Sequence, residues 1–151
     1  ADAVPTTTYA NLSSVACPTA SECVAVGWYQ NSQARTGLLL VGSGNSWNAV
    51  ETPLPSNSDG TSYLTAVTCP STTQCVAAGS YYDAPTSLQG LLVTGAGSTW
   101  TAAQAPLPSN VDTATVVLNS VACQSASRCV VTGTFDDSSN YSHGLLIDGP
   151  S

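Results

Sequence analysis

Short runs of alternating or consecutive apolar residues occupy most of the chain, and glycine, proline or small polar residues end each run. Residues 12–17, 23–27 and 37–41 are typical, and no run extends to the length of an ordinary helix. Runs of this length, rich in Val and Leu and bounded by turn residues, predict β-strands. No segment combines apolar positions spaced 3.6 residues apart with helix caps at its ends. The pattern therefore predicts an all-β protein with almost no helix.

The strand pattern recurs three times along the chain. LSSVACP at residues 12–18 returns as LTAVTCP at residues 64–70 and as LNSVACQ at residues 118–124. A recurrence at about 50 residues is typical of repeat architectures. We therefore expect one repeat domain over residues 1–151, divided into an N-terminal strand or arm (1–11), repeat 1 (about 12–63), repeat 2 (about 64–117) and a truncated repeat 3 (about 118–151).

Each complete repeat is expected to contain four short strands. The first ends at the first cysteine of the repeat, and the second begins at the second cysteine. The third is the Gly-Leu-Leu run, which a glycine-rich turn joins to a fourth strand carrying Trp47 or Trp100. Pro-Leu-Pro ends the fourth strand, because proline cannot donate to a β-ladder. Repeat 3 reaches Ser151 before such a Trp strand. We expect its last strand to come from another chain, and the alternatives are that the sequence is part of a longer repeat array or that three repeats close on themselves.

Six cysteines form three pairs with one spacing. Five residues separate the members of each pair, which suits a hairpin whose strand ends face each other. The repeated spacing favours three local disulfides over other connectivities: Cys17–Cys23, Cys69–Cys75 and Cys123–Cys129. Disulfides persist in oxidising compartments. The cysteines therefore predict a protein that is secreted, extracellular or on the cell surface.

Charge is scarce, and it is mostly negative. Charged residues make up 7% of the chain and the net charge is −7, with two cationic residues. Nucleic-acid binding needs a cationic patch, which two cations do not supply. No apolar run approaches the roughly 20 residues that span a bilayer, so membrane insertion is not expected. Low charge leaves little repulsion between copies and permits self-association.

The pattern L-x-x-V-x-C-P-x5-C-V-A-x-G, followed by Gly-Leu-Leu, a turn and Trp, resembles secreted bacterial β-propeller-like repeats of about 50 residues. The turn-Trp segments at residues 44–47 and 97–100 are also similar to a degenerate Asp-box, without its acidic residue. The resemblance implies propeller-type blades of four antiparallel strands, the last blade incomplete and completed between chains. Three repeats closing on themselves as a β-trefoil are the alternative fold.

The sequence contains few residues that could form a catalytic site. His143 is the single histidine, it lies in a polar loop, and no nucleophile elbow of the G-x-S-x-G type accompanies it. The loop beginning at Asp136 lacks the spacing of a calcium loop. The sequence therefore predicts a protein that is not an enzyme, with no catalytic residues, no metal site and no cofactor.

The variable loop between the second and third strands of each repeat carries the best candidate for binding. Its aromatic rings, accompanied by Asn, Gln or Asp, match the chemistry that recognises sugars. The candidate binding residues are Trp28, Tyr29, Tyr81, Tyr82, Asp83, Phe135, Asp136 and Tyr141. The alternative is that Tyr29, Tyr81 and Phe135 pack between neighbouring repeats. Trp47 and Trp100 recur at one position of the repeat, so we expect both in the core.

Two functional hypotheses follow. In the first, the chain is a non-enzymatic extracellular structural protein that associates with itself through strand edges, into an oligomer or filament. In the second, it is a lectin-like module that binds a glycan or another cell-surface ligand through the aromatic loops. The two hypotheses do not exclude each other.

Overall fold

The computed structural model describes residues 9–30, 34–84, 87–108 and 115–149, so the arm before residue 9 and the tip of the first variable loop lie outside the described residues. Repeat 1 contains β1 (Tyr9–Thr19), β2 (Glu22–Gln30), β3 (Arg35–Ser43) and β4 (Ser46–Glu51). Repeat 2 contains β5 (Ser62–Ser71), β6 (Gln74–Ala84), β7 (Ser87–Ala96) and β8 (Thr99–Gln104). Repeat 3 contains β9 (Thr115–Ser125), β10 (Arg128–Asp136) and β11 (Ser142–Asp148).

Each repeat is an antiparallel meander in which successive strands pair. Repeat 1 forms a four-stranded sheet in the order β1-β2-β3-β4. The meanders of repeats 2 and 3 are joined into one sheet by a parallel pairing of Leu88 with Thr115, which makes that sheet mixed. The all-β prediction is confirmed for the described residues, which contain no helix and do not close into a ring.

The strand bounds and the cysteine pairing follow the predicted pattern closely. β1 continues two residues beyond Cys17, and β2 begins one residue before Cys23. All three local disulfides are present, with Cα atoms 3.9, 4.0 and 3.9 Å apart. This separation is shorter than the 4.5–5.5 Å expected for opposed strand positions.

A β-bulge recurs at the same place in the first strand of every repeat. The pairing register shifts between Leu12 and Ser14, between Leu64 and Ala66, and between the equivalent residues of β9. The glycine of the V-A-x-G motif lies opposite. At Gly79, a Cβ atom would overlap the carbonyl of Tyr63. The repeated glycine therefore lets the bulged strand approach its partner closely.

The hairpin between the third and fourth strands is also repeated in detail. Gly44 and Gly97 adopt positive φ angles of 54° and 55°, which glycine tolerates at little cost. The indole N–H of Trp47 donates to the carbonyl oxygen of Gly44 (3.1 Å), and that of Trp100 donates to Gly97 (2.9 Å). The tryptophan thus closes the turn that precedes its own strand.

The core lies between the strand meanders of successive repeats. We call the side of a repeat that contacts the preceding repeat its leading face, and the side that contacts the following repeat its trailing face. Val24, Val26, Leu39 and Val41 on the trailing face of repeat 1 pack against Leu64, Tyr81, Leu91 and Trp100 on the leading face of repeat 2. An equivalent cluster joins repeat 2 to repeat 3 through Val76, Ala78, Leu92, Leu118, Val131, Leu145 and Ile147.

Hydrogen bonds between repeats accompany this packing. Ser14 Oγ accepts from the Val67 amide (3.3 Å), which links β1 to β5. Thr65 Oγ1 donates to the carbonyl of Leu118 (2.6 Å), and Ser80 Oγ donates to that of Val116 (3.0 Å). Hydroxyl side chains on the trailing face of one repeat therefore form hydrogen bonds with the backbone of the first strand in the following repeat.

Candidate functional site

One of the two aromatic positions in the variable loops is part of the core. Tyr29, Tyr81 and Phe135 are equivalent residues in β2, β6 and β10. Tyr81 is fully buried, and its hydroxyl donates to Asn57 Oδ1 (3.2 Å). Tyr29 and Phe135 are half-buried against apolar clusters. The packing between repeats that the sequence left open as an alternative therefore describes Tyr81, whose ring offers no surface to a ligand.

A cleft lies between repeats 1 and 2. It has a volume of about 340 Å³ and is lined by Gln30, Ala34, Arg35, Thr61, Tyr63 and Tyr82. The guanidinium carbon of Arg35 lies 4.1 Å from the centre of the Trp28 ring, a cation–π geometry. Of the predicted aromatic residues Tyr82 therefore lines the cleft, whereas Trp28 contacts the cleft residue Arg35 without lining the cleft itself.

The cleft can donate and accept hydrogen bonds at neutral pH. Burial raises the pKa of the Tyr63 phenol, against smaller opposing effects of Ser80 and Arg35, so this hydroxyl stays protonated. Asp83 follows Tyr82 in the chain but does not line the cleft, and its Oδ1 is buried with no hydrogen-bond partner among the described residues. Planar polar groups, a phenol and an aromatic platform are the components of a sugar site.

The candidate residues of repeat 3 lie apart from this cleft. Phe135 stacks on His143, with ring centroids 5.2 Å apart. His143 Nε2 lies 2.8 Å from Asp137 Oδ2, and both groups are partly exposed. Asp136 pairs with Ser142 in the β-ladder, and Tyr141 is exposed at the turn. These residues therefore lie together at the end of the β10–β11 hairpin. The candidate residues of the three repeats do not form one common site.

A second candidate site is the leading face of repeat 1. Leu12 is 55% exposed and Val15 60% exposed on β1. The equivalent residues of the later repeats are 0–8% exposed against the preceding repeat: Leu64 and Val67 in repeat 2, Leu118 and Val121 in repeat 3. The same motif is thus buried twice within the chain and exposed once. The exposed copy is on a face that no repeat covers among the described residues.

The trailing face of repeat 3 likewise exposes an apolar residue whose equivalents in repeats 1 and 2 are buried. Leu146 is 67% exposed, whereas its equivalents Leu39 and Leu92 are 0% and 5% exposed against the following repeat. Ser120, Asn119 and Thr134 of repeat 3 occupy the positions of Ser14, Thr65 and Ser80, whose hydroxyls bond to the next repeat. Repeat 3 therefore presents both the apolar residue and the polar residues of an inter-repeat surface.

Some of these site residues were not predicted from the sequence. Arg35 could have been noticed as one of two cations, and Thr61 and Tyr63 lie just before the Leu64 motif. Leu12, Val15 and Leu146 carry no sequence signal of exposure, because their motif is the same as that of the buried copies. Only their place at the ends of the described array distinguishes them.

The described residues contain no group of three or more potential metal ligands. They also contain no helix that is long and apolar enough to cross a membrane. No family model, curated protein or solved structure gives a significant match to this chain.

Proposed function

We propose that the chain is a non-enzymatic, extracellular structural protein that associates with itself head to tail, the trailing face of repeat 3 of one copy packing on the leading face of repeat 1 of the next. The contrast between Leu12 and its buried equivalent Leu64 carries the proposal. Three disulfides, which are typical of oxidising compartments, support the extracellular location.

The contact between copies would reproduce a contact that the chain makes twice internally. Leu146 of one copy would meet the β1 face of the next, as Leu92 meets β9. Burying one exposed leucine or valine side chain contributes about 1.5–3 kcal/mol. Leu12, Val15 and Leu146 together therefore supply a substantial apolar contribution, and the low charge of the chain opposes it little.

Polar groups on the two faces are also complementary. Ser120 Oγ is placed to accept the Val15 amide of the next copy, as Ser14 Oγ accepts the Val67 amide within the chain. The Asn119 amide is placed to donate to the Leu12 carbonyl, in the manner of Thr65 and Leu118. Such hydrogen bonds would set the register between the two copies.

A head-to-tail contact between different faces generates a closed ring or an open filament. Two copies would bring together six repeats, within the four to eight blades of closed β-propellers. The face-to-face packing of four-stranded meanders supports blades of the propeller type, and it supports them better than the β-trefoil alternative. We therefore favour a two-chain ring, with a filament as the open form of the same contact.

The native mass in solution tests the proposal. Light scattering after size exclusion, at several concentrations, should give twice the chain mass or more for the wild type. Val15→Arg and Leu146→Arg should each give a folded monomer, because either change places a charge in the contact. Asn45→Arg, on the exposed β3–β4 turn, is the charge-matched control and should leave the mass unchanged. A wild type that stays a folded monomer at high concentration would overturn the proposal.

The cleft between repeats 1 and 2 supports a second function, the binding of a glycan. Tyr82 and Arg35 line this volume, Trp28 stacks on Arg35 from outside the lining, and Gln30 and Tyr63 add groups that can bond hydroxyls. Cation–π contact with Trp28 holds the Arg35 charge at the cleft, which favours glycans that carry an acidic group.

A glycan array tests this second function. Wild-type protein should bind a small set of glycans, and Trp28→Ala or Tyr82→Ala should remove that binding. Tyr141→Ala removes an exposed aromatic ring that lies outside the cleft, so it should leave binding intact. An array without signal at high protein concentration would contradict the glycan hypothesis.

A further inference from the structure

A groove lies where β11 meets the outer strands of repeat 2, on a surface separate from the two terminal faces. Its volume is about 340 Å³, and its lining includes Leu92, Thr94, Thr101, Ala103, Ile147 and Asp148. β11 pairs with β10 along one edge, and no described strand pairs with its other edge. A free strand edge beside an apolar groove is the geometry in which extended segments add to a sheet.

The equivalent groove one repeat earlier is filled by a strand of the chain itself. β8 pairs with the edge of β7 that corresponds to the free edge of β11. Trp100 and Ala102 of β8 pack with Leu39, Val41 and Val50, which are the repeat-1 counterparts of Leu92, Thr94 and Ala103. The groove beside β11 is therefore equivalent to the position that β8, with Trp100, occupies one repeat earlier.

The glycine paired with the tryptophan shows the same difference between repeat 3 and the earlier repeats. Gly42 pairs with Trp47, and Gly95 pairs with Trp100. At both glycines a Cβ atom would overlap the backbone of the fourth strand. Gly149 is the counterpart in repeat 3; its φ is 92°, and no atom of the described residues lies within 4 Å of the position of its Cβ. The space that a fourth strand fills in repeats 1 and 2 is open beside Gly149.

We propose that this groove and the free edge of β11 bind an extended strand of a separate polypeptide, antiparallel to β11 and with a tryptophan side chain in the groove. Main-chain hydrogen bonds to β11 supply affinity, and the indole ring supplies specificity. The binding does not require the association of the terminal faces, because the groove is formed by repeats 2 and 3 of one chain.

A peptide with the sequence of residues 97–108, GSTWTAAQAPLP, serves as the probe. Fluorescence anisotropy of the labelled peptide should show saturable binding to the wild-type protein, with one peptide per chain. A peptide with Trp100→Ala should bind at least about tenfold more weakly, since it keeps the main-chain bonds but loses the indole contact. Equal binding of the two peptides, or no saturation up to about 1 mM, would overturn the inference.

Two protein variants locate the peptide. Ala103→Arg places a long charged side chain on the exposed lining of the groove and should abolish binding. Thr99→Arg adds the same charge to the same strand outside that lining, so it should bind like the wild type. Undiminished binding by Ala103→Arg would contradict the location. Val15→Arg leaves the groove unchanged and should bind the peptide whatever its native mass, which separates failure of this inference from failure of self-association.

Discussion

The Trp100 indole N–H donates to the carbonyl oxygen of Gly97 at 2.9 Å, and the ring is buried between repeats 1 and 2. Trp47 makes the same bond to Gly44, but its ring is half-exposed on the leading face of repeat 1. The same hairpin structure therefore occurs twice, once with a buried tryptophan ring and once with a half-exposed one. The closure of the turn is local, whereas the burial of the ring depends on a neighbouring repeat.

The pair of tryptophans provides a stability test. Trp100→Ala should lower the free energy of unfolding by about 3–5 kcal/mol, because it leaves a cavity between two repeats. Trp47→Ala should cost clearly less in the monomeric Val15→Arg background, where its face is uncovered. Urea unfolding followed by circular dichroism measures both changes. Equal losses for the two variants would contradict the packing of Trp100 between repeats.

The motif glycine opposite the bulge provides a backbone test. Gly79→Ala should destabilise the protein by about 1–3 kcal/mol, because its Cβ would overlap the Tyr63 carbonyl and the strands would have to separate. Gly144→Ala is the control, since nothing lies within 4 Å of that Cβ position. It should change stability by less than about 0.5 kcal/mol. A neutral Gly79→Ala would show that the bulge tolerates a side chain.

The disulfide of repeat 3 should stabilise the fold although its loop is short. Replacing Cys123 and Cys129 together by alanine should lower the free energy of unfolding by about 2 kcal/mol, as the loop-entropy model predicts. Thiol titration of the unfolded, unreduced wild type should find no free thiol, because all six cysteines are paired. Free thiols in that sample would mean that the pairing is incomplete.

The contact between Asp137 and His143 at the end of repeat 3 should make stability depend on pH. The hydrogen bond with His143 lowers the pKa of Asp137, and the Tyr141 and Ser139 amides lower it further. A carboxyl group whose pKa is lower in the folded state stabilises it above the unfolded pKa, near 3.9, and this contribution is lost as pH falls through the folded pKa.

Asp137→Asn should therefore remove part of the acid sensitivity. Unfolding curves between about pH 2 and pH 5 should show a smaller loss of stability for this variant than for the wild type. Asp59→Asn is a matched control, because Asp59 Oδ1 also accepts a backbone amide but has no histidine partner. Parallel pH profiles for wild type and Asp137→Asn would contradict the role of the pair.

The strands, the disulfides and the repeats could be predicted because their signals are local. Alternation along a strand also implies that Tyr81 and Tyr82 point to opposite faces of β6. The sequence does not say which face is covered, so it could not separate the buried Tyr81 from Tyr82 in the cleft. Leu12 and Leu64 share one motif, and only the three-dimensional array gives one an exposed face and the other a buried one.

The most direct test of head-to-tail association is to mix two variants that are each monomeric. Val15→Arg keeps the trailing face of repeat 3 intact, and Leu146→Arg keeps the leading face of repeat 1 intact. Native mass spectrometry of the mixture should show a one-to-one complex of the two variants, joined by the single remaining contact. Two variants that stay monomeric in the mixture, beside a wild type that associates, would contradict a contact between these two faces.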